Sequence, residues 1–201
     1  KGVETLYLRD KIASLGVTPL LMDISMRGKG TSPADITPAQ VAEAGGSSLE
    51  EIQTSRERSK ITNITIKGAS KIAGGLFSEG KLDGVIAMGG STGSLMATEV
   101  MRSLPFGVPK LMISSTAALP GLSTRYIGTG DIILFHSVIE ISGVTDLLKN
   151  VMDRAACALS GMVQGEVTSS RAETGKAIAM TMLGPCEQCA SSVRKILEGS
   201  G

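Results

Sequence analysis

Residues 83–104 read DGVIAMGGSTGSLMATEVMRSL, and this stretch decides the fold. Asp83–Met88 is a short apolar run bounded by Asp-Gly on one side and Gly-Gly on the other, the pattern of a buried strand. It passes into the turn Gly89-Gly90-Ser91-Thr92-Gly93-Ser94, and Ser94–Leu104 then follows with helical spacing of its apolar residues. A strand, a glycine turn and a helix in immediate succession form the unit from which parallel sheets are wound.

The same alternation extends in both directions. Towards the amino end, Val3, Leu6, Ile12 and Leu15 share a helical face that Gly16 ends. Val17–Ile24 (VTPLLMDI) reads as a short strand. Gly28–Ser48 reads as a loop around a small helix near Thr37–Glu43, and Ser55–Glu79 as a long helix stopped by Gly80. Towards the carboxyl end, Pro109–Ser114 reads as a strand, Ser115–Gly130 as a loop, Asp131–His136 as a strand and Ile141–Val163 as a long helix. Residues 166–175 are polar and linker-like, Lys176–Met182 reads as a new strand, and Gln188–Leu197 as a new helix. The expected architecture is an α/β, doubly wound, mostly parallel sheet over residues 1–165. After the linker, the beginning of a second α/β domain spans 176–201.

Composition narrows the function. The 201 residues carry 20 Lys and Arg against 19 Asp and Glu, so no net field gathers nucleic acid or an anionic membrane. Only 2% are aromatic, too few to build base-stacking platforms, and direct nucleic-acid binding is not expected. No apolar run has the ~18 residues of a membrane span. Three cysteines form no disulfide framework, and the chain reads as cytoplasmic and reduced. The opening Lys1-Gly2-Val3-Glu4 and the closing Glu198-Gly-Ser-Gly both read as cut from something longer.

Ligands of a doubly wound sheet lie beyond the carboxyl ends of its strands. The loops expected there are Asp23–Gly30, Gly89–Ser94, Ser114–Gly130 and His136–Ser142. In the first glycine turn, glycines allow positive φ and close approach, the first amides of the helix lack partners, and the helix dipole is positive. An oxyanion, most often phosphate, satisfies these groups. Ser91, Thr92 and Ser94 offer hydroxyls beside Gly89, Gly90 and Gly93. The other reading is a tight turn with a serine or threonine cap. The turn lacks the G-K-[ST] ending of a Walker A loop and is not G-x-G-x-x-G. It carries no carboxylate, which argues against phosphoryl transfer from this loop.

Ser114, Ser115 and Thr116 form a second candidate cup. Gly128-Thr129-Gly130-Asp131 forms a further turn, in which Asp131 would hold a ribose hydroxyl or a metal-bound water, or else cap the turn. Asp23 is the best spare carboxylate, also open to a capping role. His136, the single histidine, reads as structural, and no metal cluster or serine-hydrolase elbow is present in the sequence. Cys186-Glu187-Gln188-Cys189 is a C-x-x-C at a helix start, either redox-active or simply a turn, and Cys157 reads as core. No catalytic residue is assigned.

The stretches DGVIAMGGSTGSLMATEVMRSLPFGVPKLMISSTA, YIGTGDIILFHSVIEISGV and RAACALSGMV together resemble a known family. This is the ATP-binding domain of the tomato mosaic virus resistance protein, an inhibitor of tobamovirus RNA replication, with its uncharacterised bacterial and archaeal relatives. The resemblance covers nearly the whole chain. It implies a Rossmann-like domain that binds ATP, with magnesium, and forms a homodimer, followed by a second domain. Gly89, Gly90, Gly93, Ser114, Thr116, Gly128, Thr129 and Asp131 fall on the family's motif positions. Thr92 and Ser94 stand where the family has Gly and Thr, and Ser115–Pro120 lacks the family's Ser-Gly ending. Three roles are therefore weighed: a nucleotide-binding module; part of an enzyme for a phosphorylated or carboxylate metabolite, with catalytic groups from the second domain; and an interaction or inhibitor domain with a structural nucleotide.

Overall fold

Three parallel strands, β1 (Val85–Gly89), β2 (Lys110–Ser114) and β3 (Ile133–His136), lie in the order β1-β2-β3. The computed structural model describes residues 2–26, 33–165, 178 and 180–199. The chain divides into two compact units, Lys1–Gly165 and Glu166–Gly201, and the sheet belongs to the first.

All five residues of β2 are buried, because it is the middle strand and both its faces are covered. Successive side chains alternate between faces. Leu111 and Ile113 pack with Leu8 and Ile12 of α1 (Gly2–Ser14) and with Leu148, Met152 and Ala155 of α7 (Asp146–Gln164). Met112 packs the other way, against Ala97 and Met101 of α5 (Ser91–Arg102). Behind α5 lie Ala69 and Ala73 of α4 (Arg58–Ser78), followed by Val41 of α2 (Pro38–Ala44). Helices thus cover both faces of an open parallel sheet, a Rossmann-like α/β arrangement.

Local signals account for the helix ends. Gly16 has φ +80 just past α1. Thr37 caps α2 in a reciprocal box with Gln40, and Thr145 accepts from the Leu148 amide at the start of α7. Two short helices fall outside the sequence-based elements. α3 (Leu49–Thr54) is capped by Ser48, and α6 (Leu122–Ile127), inside the expected 115–130 loop, is entered through Gly121 at φ +77.

The strand expected over Val17–Ile24 is not formed. The segment makes a single parallel bridge, Met22 to Ile36, with the Asp23 amide donating to the Ile36 carbonyl at 2.9 Å. Pro19 has no amide to give to a ladder, and Met22 and Ile24 are used as packing against the Val41 cluster. Met180–Met182 carry no strand either; the other residues of that expected strand except Ile178, and the linker 166–175, lie outside the described residues. Among the described residues of the second unit, a single-turn 3-10 helix (Gly184–Cys186) and α8 (Glu187–Gly199) are the regular elements.

Candidate functional site

Gly89, Ser114 and His136 stand in register at the carboxyl ends of the three strands. The next row continues it: the Ser115 amide donates to the Gly89 carbonyl at 3.2 Å and the Ser137 amide to the Ser114 carbonyl at 3.1 Å. The β1–α5 turn, the loop after β2 and the loop after β3 therefore open side by side at one end of the sheet.

Helix α5 starts here without a cap. Its N-cap is Gly90, at φ −85 and ψ −160, so no side chain accepts from the first-turn amides, and no acidic residue lies in that turn. The first intrahelical bond runs from the Ser94 amide to the Gly90 carbonyl at 2.8 Å, which leaves the Ser91, Thr92 and Gly93 amides without partners inside the helix. The glycines serve close approach. None of Gly89, Gly90 and Gly93 has positive φ, contrary to the conformational reason expected from the sequence. A Cβ on Gly89 would meet the Gly93 Cα at 3.0 Å, so these two residues let the helix sit directly on the strand. A Cβ on Gly90 would meet only the Ser115 Oγ, at 3.6 Å. That Oγ is buried and has no hydrogen-bond partner.

A cation completes the start of α5. Arg58, the first residue of α4, donates from Nη2 to the Thr92 Oγ1 at 2.9 Å. A guanidinium beside the positive end of a helix is electrostatically unfavourable by itself and favourable when an anion lies between them. Arg58 lies 34 residues from Thr92 in sequence, and nothing in the local pattern points to it.

The other predicted hydroxyls are engaged within the protein. Ser94 is fully buried, and its Oγ donates to the Ser114 Oγ at 2.7 Å. Ser114 Oγ lies 3.2 Å from Thr116 Oγ1, and Thr116 Oγ1 lies 2.8 Å from the Tyr126 hydroxyl. Tyr126, also fully buried, reaches the Ser91 carbonyl at 3.5 Å. This chain fixes the start of α5 to the loop after β2. The hydroxyls outside this chain are those of Ser91, of Thr92, which accepts from Arg58, and of Ser115, which is buried without a partner.

Gly128, Thr129 and Asp131 do not join the group. They precede β3, and a residue entering a parallel strand stands at the opposite end of the sheet from residues leaving one. Gly128 (φ +56) ends α6 against Arg102. Both carboxylate oxygens of Asp131 are occupied: Oδ1 accepts from the buried Lys110 Nζ and Oδ2 from the Gly107 amide, each at 2.7 Å. Burial pushes the Asp131 carboxyl up, but the hydrogen bonds from Lys110 and Gly107, with the lysine charge, outweigh it and hold the carboxyl below its ordinary value. Lys110 also donates to the Pro105 and Val108 carbonyls, a structural clasp at the amino end of the sheet.

Asp23 takes its capping role, accepting from the Ser25 amide at 2.8 Å; residues 27–32 of its loop lie outside the described residues. His136 is exposed at the end of β3. Cys157 is exposed, not core: the buried stripe of α7 runs through Leu148, Val151, Met152, Ala155, Ala156 and Leu159, and position 157 falls beside it. Cys186 and Cys189 are exposed free thiols.

Residues 1–168 match the model of the family described as Uncharacterised protein family (UPF0261) N-terminal domain. The chain belongs to this family. It is 32% identical over 201 residues to a UPF0261 protein of Clostridium tetani, covering 100% of this chain and 49% of that protein. It is 39% identical over 127 residues to the ToMV resistance protein Tm-1 of Solanum lycopersicum, 61% of this chain and 17% of that protein. A UPF0261 protein of Brucella suis is 28% identical over 184 residues, 92% of this chain and 43% of that protein. The chain thus spans about half the length of the bacterial UPF0261 relatives it matches. Among the described residues no helix is long and apolar enough to cross a membrane.

Proposed function

We propose that this chain is a nucleotide-binding domain, non-catalytic or regulatory by itself, that holds the phosphates of ATP at the start of α5. The observation that carries this reading is the uncapped N-terminus at Gly90 with the Arg58 guanidinium drawn up to Thr92. The first-turn amides, the Ser91 and Thr92 hydroxyls and the arginine converge where a phosphate would supply the missing acceptors. Ser115 supports the reading, since its buried Oγ gains a partner when a ligand oxygen sits over Gly90. Among the described residues no three acidic, histidine or cysteine side chains group to hold a metal, so magnesium would arrive with the phosphates and its own waters.

The same reading takes the domain as a homodimer in a reducing cytoplasm. Three exposed free thiols fit that compartment. A surface groove of about 400 Å³, with Lys67 of α4, Glu99 and Leu95 of α5 and Arg125 of α6 on its walls, carries both charge signs and apolar area. Such a face can pair with its own copy across a two-fold axis, and sedimentation in the presence and absence of ATP tests it.

Titration of the whole chain with ATP against Arg58→Ala tests the nucleotide reading. The substitution is expected to weaken ATP binding about tenfold, as for loss of one charge-assisted contact, and to lessen the salt dependence of the affinity. Equal affinities at equal salt would remove Arg58 from the site.

A further inference from the structure

Past the end of β3 the chain reads Ser137-Val138-Ile139, and Val138 is the one non-glycine among the described residues with positive φ, at +64. The left-handed region is costly for a β-branched residue, and glycine occupies it freely. Val138 is also 76% exposed, so packing of its own side chain offsets little of that cost. The neighbours hold the shape. Ser137 is fully buried, its amide donates to the Ser114 carbonyl, and its Oγ donates to the Ile139 carbonyl at 2.5 Å. An apolar side chain is thereby presented to solvent at the carboxyl end of the sheet, on a backbone that favours a residue with no side chain.

Its position relative to the phosphate seat follows from the register. Gly89, Ser114 and His136 are aligned across the sheet, and adjacent strands lie about 4.8 Å apart. The β3 end therefore stands about 10 Å from the β1 end. Between them, at the β2 end, is Ser115 with its buried, unpartnered Oγ. Three neighbouring strand ends thus bring together helix-start amides with a cation, a buried hydroxyl without a partner, and an exposed apolar side chain.

We propose that Val138 is the wall against which the base of the bound nucleotide packs, its phosphates lying at the start of α5 and its sugar crossing the end of β2 beside Ser115. This rests on the nucleotide reading above and adds the ligand's direction and a residue that distinguishes a nucleotide from bare phosphate. The backbone strain at position 138 is kept for binding and is dispensable for folding.

The test uses the whole chain, ATP and inorganic tripolyphosphate, with the variants Val138→Gly and Val138→Thr. Val138→Gly releases the strained backbone and is expected to raise the unfolding temperature by about 3 °C. It is expected to weaken ATP about five- to tenfold, the loss of a few buried apolar groups, and to leave tripolyphosphate unchanged. Val138→Thr, of the same shape and with the same backbone cost, is expected to weaken ATP without raising the unfolding temperature. ATP binding as tight in both variants as in the wild type overturns the proposal while the phosphate seat stands. Equal loss of ATP and tripolyphosphate also overturns it, since the loop would then support the seat and not the base. Wild-type protein that binds neither ligand removes the nucleotide reading itself, and this inference with it.

Discussion

Arg58 and Lys110 show how differently two cations act in one small domain. Arg58 is exposed and meets a hydroxyl at a helix start, where it has something to gain from an anion. Lys110 has a fully buried side chain whose three donors meet three protein oxygens, one of them on Asp131. Its removal leaves Asp131 with backbone amides and no lysine partner, so Lys110→Met is expected to cost about 3 kcal/mol in a denaturant melt. The pH dependence has a definite sign. The carboxyl of Asp131 is held below its ordinary value when folded, so its contribution is complete above the unfolded value, near pH 4, and is lost as the pH falls through the lower folded value. Thermal melts from pH 7 down to pH 2.5 should show wild-type stability falling at the acid end, and Asp131→Asn should flatten that part of the curve. A curve of unchanged slope would contradict the clasp. Residue type and loop position made Ser94, Ser114, Thr116 and Asp131 candidate ligand groups, and the family resemblance pointed to the last three as well. Only the fold reveals that three of these hydroxyls bond in a chain ending at Tyr126 and that Asp131 stands at the far end of the sheet. Arg58 and Tyr126 were not legible because each reaches the turn from a different helix.

At the scale of elements, the strands and long helices were legible where burial is two-sided or striped. Lys110–Ser114 and the apolar face of α7 each announce themselves by apolar spacing, and the β1–α5 turn by its glycines. Short pieces were not. α3 and α6 have six residues each, too few for a period to be read. Val17–Ile24 has strand composition, yet a strand also needs a continuous ladder on a neighbour, which no composition reports. Backbone closeness between helices is equally silent. A Cβ on Gly68 of α4 would lie 1.9 Å from the Val41 carbonyl oxygen of α2, and one on Gly45 would lie 2.3 Å from the Ile64 carbonyl oxygen. These two glycines let α2 lie directly on α4. Gly68→Ala is expected to destabilise the protein by about 3 kcal/mol by forcing the helices apart, and a calorimetric melt indistinguishable from wild type would contradict that packing.

At the scale of the molecule, the four hydrophobic clusters of buried residues found among the described residues all belong to the first unit. A chain ended at Gly165 is therefore expected to unfold within about 2 °C of the whole chain, as scanning calorimetry would report, and to keep the β1–α5 turn intact. With that turn rests the central claim, that an uncapped helix start beside a closely packed strand is a seat for phosphate. Gly90 is the residue to change. Its backbone is extended, and a Cβ there meets nothing closer than 3.6 Å, so Gly90→Val is compatible with the fold while its methyl groups fill the seat. Isothermal titration of ATP into the whole chain and into Gly90→Val is the most direct measurement. The account predicts saturable heat for the wild type and at least a hundredfold weaker binding, about 3 kcal/mol, for a variant that melts like a folded protein. No heat from the wild type, or equal binding by the folded variant, would contradict it.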